Sequence, residues 1–440
     1  MPDQDRHALT RMALRAWRWL SPDTWRHTVA RLVVVALLVA AGGFAFVTLG
    51  LTPIAAHEGH WPITQRFLKY VMTRTVRMQS LGVEVPPLDD PALVLKGAGH
   101  YATDCMPCHS APGQTRALVV EHMVPAPPYL TNTLDDWEPQ QLHWIVKHGI
   151  KYTAMPAWSS QLRDDEVWAM VAFLQRLPGM DAAQYRALAF GPKTISPVVA
   201  EGARLSTLEL PPLSSLDNCA RCHGAGGEGR GDGAIPRLAG QREGYLLASL
   251  QAYARGERHS GIMQPVATGL DAAQMQALAR HYASLSPPPK LPANTSIAHD
   301  AASITGSTTS TGAAGDKKAG TSILIPSSAT SSPTPAPPPS PDDARARGAR
   351  LAAQGSGNQR IPACRHCHGP GATERNPVYP RLAGLQPRYL ALQLRLFQQG
   401  RRGGTRYQHL MHRAASTLSE EQIEDLAAYY GSLDPDAETR

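Results

Sequence analysis

Hydrophobic positions in this chain rarely alternate with the period of two that is typical of strands, and one segment has no polar face. Residues 32–51, LVVVALLVAAGGFAFVTLGL, are twenty residues without a charge, enough for a helix to cross a bilayer core of about 30 Å. Six arginines precede this segment, and the positive-inside rule keeps such an end in the cytoplasm. We therefore predict a cytoplasmic N-terminus over 1–31 and a transmembrane helix over 32–56, with a cleaved signal peptide as the alternative.

Three stretches of helical pattern recur after that segment. They begin at Leu162 (LRDDEVWAMVAFLQRL), Leu270 (LDAAQMQALARHYASL) and Leu418 (LSEEQIEDLAAYYGSL). Each has acidic or polar residues in its first turn, where the helix dipole favours them. The pattern predicts one terminal helix in each of three repeats of an all-α fold.

The repeats define three domains, which we call modules. Module 1 is predicted over 85–190, module 2 over 195–287 and module 3 over 342–440. An initial helix is expected from Glu201 in module 2 and from Arg347 in module 3, and a short helix within 57–88. Residues 288–341 are rich in Pro, Ser, Thr and Ala without periodicity, which predicts a disordered linker.

Composition narrows the possible functions. The 440 residues carry 43 Lys and Arg against 36 Asp and Glu, and no dense basic run makes nucleic acid a leading partner. Aromatic residues are only 6% of the chain. Modules of about 100 residues would therefore have thin cores unless a bulky group filled them.

The six cysteines occur only as C-x-x-C pairs, and a histidine follows each pair directly. The three motifs are Cys105–Cys108 with His109, Cys219–Cys222 with His223, and Cys364–Cys367 with His368. This is the attachment signature of c-type haem: two thiols add to the porphyrin vinyl groups, and the adjacent imidazole ligates the iron. We therefore predict three covalently bound haem c groups.

Other uses of C-x-x-C fit these motifs less well. A thioredoxin-like pair needs no following histidine and lies in a βαβ pattern. A zinc site needs a second pair of ligands close in sequence, whereas these pairs lie more than 100 residues apart. Simple disulfides are permitted in an oxidising compartment, but they leave the three histidines unexplained.

A methionine at a recurring position is the candidate for the second iron ligand, because His/Met ligation raises the potential of an electron carrier. Met155, Met263 and Met411 each precede the leucine that opens a terminal helix by seven residues, and follow the haem histidines by 46, 40 and 43 residues. We predict that all three ligate iron from the loop before that helix. The remaining candidates are Met123 in module 1 and His409 and His412 in module 3, whereas Met170 and Met275 are expected to be packing residues.

The segments IPRLAGQREGYLLASL (235–250) and YPRLAGLQPRYLALQL (379–394) align without gaps. With the haem motifs, they make the chain resemble class I cytochromes c, and modules 2 and 3 resemble the halves of dihaem cytochrome c4. The resemblance implies that the carbonyls of Pro236 and Pro380 accept the proton of the haem histidine. It also implies that Arg237 and Arg381 face haem propionates, with solvated arginines as the alternative. In module 1, MVPAPPYL offers three prolines, of which none is assigned.

The expected function is electron transfer rather than catalysis, because His and Met together leave no open position on the iron. We expect a membrane-tethered trihaem cytochrome c of a periplasmic respiratory chain. It would be a single-pass protein of the cytoplasmic membrane, with respiratory complexes, a soluble carrier and a terminal oxidase as partners. One alternative is an electron-acceptor subunit of a periplasmic dehydrogenase. Another is a haem peroxidase-type enzyme, which would need a vacant iron position.

Overall fold

The structure is a computed structural model that describes residues 22–52, 54–55, 58–134, 136–191, 215–287, 340–369 and 375–435. They fall into two compact units, and the second begins at Pro62. Each unit is described by itself. Within these ranges the chain is helical, and β pairing is limited to two isolated bridges, Arg230–Ile235 and Ser356–Ile361. The all-α prediction is confirmed. The helix expected from Glu201 and most of the linker lie outside the described residues.

The first unit contains one long helix, α1 (Pro22–Thr48). Its Trp25–Thr48 part has a mean hydropathy of 2.3 and no buried share, so it is long and apolar enough to cross a membrane. The predicted span was 32–56. The observed helix begins ten residues earlier than this span and ends eight residues earlier. It ends there because Gly50, two residues later, adopts a φ of +70° that an α-helix cannot continue through.

The second unit contains all three haem motifs. The helices up to the end of module 1 are α2 (Pro62–Gln79), α3 (Pro91–His100), α4 (Met106–His109), α5 (Leu118–Glu121), α6 (Pro139–His148), α7 (Asp164–Arg176) and α8 (Ala182–Phe190), with a π-helical turn at Tyr101–Cys105. Those of module 2 are α9 (Ser215–His223), α10 (Glu243–Ala254), α11 (Met263–Thr268) and α12 (Ala272–Ser284). Those of module 3 are α13 (Pro341–Gln354), α14 (Arg365–His368), α15 (Pro387–Gln398), α16 (Gln408–Ala415) and α17 (Glu420–Ser432).

The initial and terminal helices of a module cross at a glycine. A Cβ atom on Gly97 of α3 would lie 2.2 Å from the backbone oxygen of Ala169 in α7. A Cβ atom on Gly348 of α13 would lie 2.0 Å from the backbone oxygen of Asp425 in α17. Glycine therefore allows the two helix backbones to approach closely, and in modules 1 and 3 this crossing brings the start of the module against its end.

The terminal helices occur where the sequence predicts them, but they begin in two different ways. Asp271 and Ser419 each form a capping box with a glutamine three residues later, before α12 and α17. In module 1, Arg163 holds the equivalent position before α7 and makes no capping bond. Acidic residues occupy the first turn of α7 and complement the helix dipole instead.

The candidate methionines are not all in loops. Met155 lies in the loop between α6 and α7, as expected, and is followed by Pro156, which disfavours helix at the preceding residue. Met263 is the first residue of α11, and Met411 lies inside α16. The loop expectation is wrong for these two residues. Around Met411 the sequence QHLMHRAA has no Gly or Pro to prevent a helical turn.

The modules pack against each other. Gln241 of module 2 donates from Nε2 to the backbone oxygen of Arg381 at 2.9 Å, and accepts from its backbone N–H at 2.7 Å. Arg163 of module 1 donates to the backbone oxygen of His259 in module 2 at 2.8 Å. The predicted linker between modules 2 and 3 therefore does not keep them apart.

Candidate haem sites

Each haem motif lies on a helical turn that is followed by a residue of positive φ. The cysteines are three residues apart, so one turn places both on the same side of the helix. The residues after the three histidines are Ser110, Gly224 and Gly369, with φ of 64°, 83° and 80°. This left-handed residue turns the chain away directly after the histidine. In module 1 a serine takes the conformation that glycine takes in the other two.

The three motif histidines each contact a proline carbonyl. The distance from Nδ1 to the oxygen is 2.9 Å for His109 and Pro128, 2.8 Å for His223 and Pro236, and 3.1 Å for His368 and Pro380. Because a carbonyl oxygen can only accept, Nδ1 carries the proton in each ring and Nε2 is free to ligate a metal. Pro128 is the partner in module 1 that the sequence left unassigned.

In module 3 the candidate ligands face each other. The Sδ atom of Met411 lies 3.4 Å from Nε2 of His368. Both side chains line a cavity of about 180 Å³, together with Cys364 and Cys367. The rival His412 does not line this cavity, and its Nδ1 atom lies 2.7 Å from the backbone oxygen of Phe397.

In module 2 the candidate ligands line one cavity. This cavity has a volume of about 200 Å³ and is lined by His223 and Met263 together with Cys219 and Cys222. Module 1 contributes Gly99, His100, Thr103 and Glu166 to its wall, and module 3 contributes Tyr389 and Leu396. The second site therefore lies where all three modules meet.

In module 1 the candidate ligands lie on separate segments. His109 ends α4, and Met155 is partly buried in the loop before α7. The backbone oxygen of Met155 accepts from the N–H of Ile150 at 3.3 Å. The rival Met123 lies in the bend after α5. Among the described residues no sulfur contact joins either methionine to His109.

Burial sets the protonation of the motif residues. It lowers the pKa of His368 to about 4 and that of His223 in the same direction, so both imidazoles are neutral at pH 7, as a metal ligand must be. It raises the pKa of Cys105 to about 12 and those of Cys219 and Cys364 to about 11. These thiols stay protonated, unlike the thiolates of zinc sites or redox pairs, and no disulfide joins the six cysteines.

Two arginines that the sequence did not single out line the second cavity, and Arg258 is buried whereas Arg402 is half-buried. Arg258 is 5% exposed and donates to Ser249 Oγ at 2.8 Å. Arg402 donates to the hydroxyl of Tyr245 at 3.0 Å. Within the described ranges neither forms an ion pair with a carboxylate, so both could bind the carboxylate groups of a haem. A shared Gly-x-Arg sequence after α10 and α15 could have identified both arginines from the sequence. Each arginine follows a glycine of positive φ by two residues.

The arginines expected to face propionates bond to backbone atoms of the neighbouring module. Arg237 donates to the oxygen of Ala383 at 3.0 Å, and Arg381 donates to the oxygen of Gly240 at 2.9 Å. These bonds link modules 2 and 3. A role of either arginine toward a haem stays a prediction. The paired thiols, the neutral imidazoles and the cavities with buried cations do fit a covalently bound haem.

Comparison with known families agrees with this chemistry. The family described as "Cytochrome c" matches residues 199–286 and 345–434. The family described as "Cytochrome C oxidase, cbb3-type, subunit III" matches residues 92–174. The matched ranges each contain one C-x-x-C-H motif.

Individual relatives align with about half of the chain. A thiosulfate dehydrogenase electron acceptor of Thiomonas intermedia is 32% identical over 52% of this chain and 82% of its own length. A cytochrome c4 of Azotobacter vinelandii is 27% identical over 49% of this chain and 84% of its own length. The solved cytochrome c4 of Acidithiobacillus ferrooxidans is 29% identical, with a TM-score of 0.34 over 49% of this chain and 98% of that one.

Proposed function

Because the chain belongs to the cytochrome c family, we propose that it is a membrane-tethered cytochrome with three haem c groups that serves a periplasmic respiratory chain. Members of this family carry covalently bound haem c, and this chain is a c-type cytochrome electron carrier. The haem count, the ligands, the membrane tether and the partners are the parts that we propose.

One observation carries the choice of ligands. In module 3 the Nε2 atom of His368 faces the Met411 sulfur at 3.4 Å while Nδ1 is engaged by Pro380. Haem c supplies an iron that takes up and releases one electron at a time. The two cysteines of each motif would attach the porphyrin by thioether bonds, the proline carbonyl would orient the imidazole that ligates the iron, and the methionine sulfur would be the second ligand. With both ligands bound, the iron would have no position for a substrate.

The count of three rests on repetition. Each C-x-x-C-H motif is followed by a proline whose carbonyl contacts the motif histidine. Met155 and Met263 are proposed as sulfur ligands by their repeat position relative to Met411. The tether rests on α1, whose apolar part is long enough to span a membrane, and on the arginines before it, which favour a cytoplasmic N-terminus.

The name of one relative favours a second candidate function. The Thiomonas protein is described as a thiosulfate dehydrogenase electron acceptor, and a protein of the same description in Stutzerimonas stutzeri is 30% identical over 49% of this chain. By analogy, modules 2 and 3 would receive electrons from a periplasmic dehydrogenase. Both candidates share the same haem chemistry and differ in the electron donor.

The first experiment tests the haem chemistry in the full chain, purified in mild detergent. We expect three haems per chain by pyridine haemochrome assay, and a near-infrared sulfur-to-iron absorption that corresponds to three centres. A Cys105→Ser, Cys108→Ser double variant should lose one haem of the three. Fewer haems in the wild type, or a centre that binds carbon monoxide readily at neutral pH, would contradict the proposal.

The second experiment separates the two donors. Membranes that contain the tagged protein are solubilised gently, and the proteins that co-purify are identified. A respiratory complex or terminal oxidase supports the first candidate, whereas a dehydrogenase that reduces the cytochrome when thiosulfate is added supports the second. Reduction by neither source would overturn both donor assignments and leave the haem assignment intact.

A further inference from the structure

Modules 1 and 2 meet at the segments that carry their candidate methionines. Trp158 lies three residues after Met155, and Gly261 lies two residues before Met263. The indole packs so closely on Gly261 that a Cβ atom there would lie 1.9 Å from Nε1 of Trp158. Ser159 Oγ donates to the backbone oxygen of Gly261 at 3.2 Å. The two methionine segments are therefore in direct contact.

A buried carboxylate of module 1 holds the methionine segment of module 2. Glu166 of α7 is 3% exposed. Its Oε1 atom accepts from Ser260 Oγ at 2.7 Å, and its Oε2 atom accepts from the Gly261 N–H at 2.6 Å. Ser260 Oγ in turn accepts from the backbone N–H of Met263 at 3.0 Å. A continuous chain of hydrogen bonds thus runs from Glu166 to the Met263 backbone.

The charge of this carboxylate is balanced within module 1. A guanidinium nitrogen of Arg163 lies 2.9 Å from Oε1 of Glu166. Arg163 also bonds to the carboxylate of Asp165 and to the backbone oxygen of His259 in module 2. Glu166 can remain ionised although it is buried, because it is paired with Arg163 and both side chains form further hydrogen bonds. Hydrogen bonds to an ionised acceptor are the stronger kind.

The repeat shows that this use of the residue is particular to module 1. Gln274 and Gln422 hold the third position of α12 and α17, and each folds back to cap its own helix. Glu166 holds the third position of α7 but turns its side chain to module 2. Helix α7 lacks the capping bonds that the other two have. Glu166 therefore bonds to a neighbouring module, whereas the glutamines at the same position bond to their own helices.

We propose that Glu166 is a positioning residue for the second haem: it holds the Ser260–Met263 segment in place, so that sulfur ligation of the second iron depends on docked module 1. The inference rests on Met263 as the sulfur ligand in the proposed function. Since module 1 also lines the second cavity through Gly99 and Thr103, loss of the contact would expose that site as well as loosen its ligand.

The test compares ligand lability in the full chain in its ferric form. For Glu166→Ala we expect a loss of up to one third of the near-infrared sulfur-to-iron absorption. We also expect one centre to bind added imidazole roughly 10- to 100-fold more tightly than in the wild type, the range seen when groups that orient metal ligands are removed. Met263→Ala should show the full loss, and the double variant with Glu166→Ala should lose no more.

Two variants control for damage to module 1. Asp181→Ala removes the cap of α8, where the carboxylate accepts from the N–H groups of Ala183 and Gln184 inside module 1, and should leave imidazole binding at the wild-type level. Ser260→Ala removes the hydroxyl from the module 2 side and should reproduce the effect of Glu166→Ala, even if the latter variant fails to fold.

The outcomes separate the inference from the proposed function. Wild-type absorption and imidazole affinity in Ser260→Ala would overturn the positioning role. An equal loss in Asp181→Ala would also overturn it, as would a double variant that loses two thirds of the absorption. A wild-type protein without the absorption of a second sulfur-ligated centre would instead overturn Met263 as a ligand.

Discussion

The position of the side chain relative to the cavity, more than residue type, distinguishes the imidazoles near the third haem motif. His368 has its Nδ1 proton engaged by Pro380 and presents Nε2 to a cavity that Met411 also lines. His412 is only one residue from Met411 and its Nδ1 atom likewise contacts a carbonyl, that of Phe397, but its side chain does not line that cavity. At this scale the structure favours Met411 over its neighbours.

Replacing Met411 should affect one centre only. In Met411→Ala, about one third of the near-infrared sulfur-to-iron absorption should disappear and the potential of that centre should fall, because a thioether ligand raises it. The near-infrared spectrum measures the first effect, and a redox titration followed in the visible haem absorption measures the second. His412→Ala is the control and should retain the absorption. An unchanged absorption in Met411→Ala, with a loss in His412→Ala, would move the ligand to the histidine.

A buried histidine outside the haem sites should make stability depend on pH. His143 stacks on Trp168 with ring centroids 4.2 Å apart, and burial lowers its pKa to about 4. The unfolded chain binds this proton near pH 6.5, so stability should fall as the pH decreases from 6.5 towards 4, by at most about 1.4 kcal/mol per pH unit.

His143→Phe removes this proton and keeps the stacking on Trp168. Denaturant unfolding, followed by circular dichroism at pH 7 and pH 5, should show that the wild type loses more stability than the variant. Parallel losses in the two proteins would contradict a neutral His143 in the folded state.

At the scale of elements, the same helix serves different purposes in different modules. The terminal helices α12 and α17 close their own N-termini by capping boxes. In α7 the corresponding side chains, Arg163 and Glu166, bond to module 2 instead. Helix α7 therefore lacks a capping bond but forms a contact between modules. The start signals of the helix in the sequence do not show this contact.

The crossing of initial and terminal helices should be intolerant of a methyl group. In an exposed helix, Gly→Ala gains about 1 kcal/mol from helix propensity. At Gly348 the added Cβ would lie 2.0 Å from the Asp425 oxygen, so α13 and α17 would have to separate. Such overpacking costs about 1–3 kcal/mol, and we expect a net loss of stability in Gly348→Ala.

Thermal unfolding of the third site, followed in the haem absorption, measures this effect. Gly357→Ala is the matched control in the same module, because no atom lies within 4 Å of the added Cβ. A midpoint for Gly348→Ala at or above that of the control would show that the crossing is looser than described.

At the scale of the whole molecule, the second site is lined by residues of all three modules. Module 1 covers one side through Gly99 and Thr103, and module 3 covers another through Tyr389 and Leu396. Tyr245 lines both the second and the third cavity. A middle site that adjoins both neighbouring modules suits a relay of electrons along the chain.

The contact between modules 2 and 3 should depend on one glutamine. Gln241 is 6% exposed and satisfies both backbone groups of Arg381. In Gln241→Ala these groups lose their partner, at a cost of about 1–3 kcal/mol for each one that stays buried. Amide hydrogen exchange should therefore become faster around residues 379–385 of module 3 and around residues 238–242, which face them in module 2.

Gln398→Ala is the control for that variant, because Gln398 donates to the Leu418 oxygen within module 3 at 2.8 Å. It should destabilise module 3 without faster exchange in the facing segment of module 2. Identical exchange in the wild type and in Gln241→Ala would mean that other contacts hold the two modules together.

The haem chemistry and the helices were predictable because their signals are local. A C-x-x-C-H motif places two thiols and an imidazole within one helical turn, and the terminal helices have periodicity and start signals within 16 residues. The repeat then aligned the methionines without knowledge of the fold. It did not show that Met263 and Met411 lie in short helices, because loop and short helix are not distinguished by spacing.

Contacts between distant parts of the chain were decided only by the tertiary structure. Three kinds of contact join residues whose separation along the chain follows no period. They are the contact of Pro128 with His109, the bonds of Arg258 and Arg402 in the second cavity, and the contact of Glu166 with Ser260. The sequence suggested a linker that separates modules 2 and 3, whereas burial of groups such as Gln241 holds them together. Local spacing determines what each motif can bind, and long-range packing determines what surrounds it.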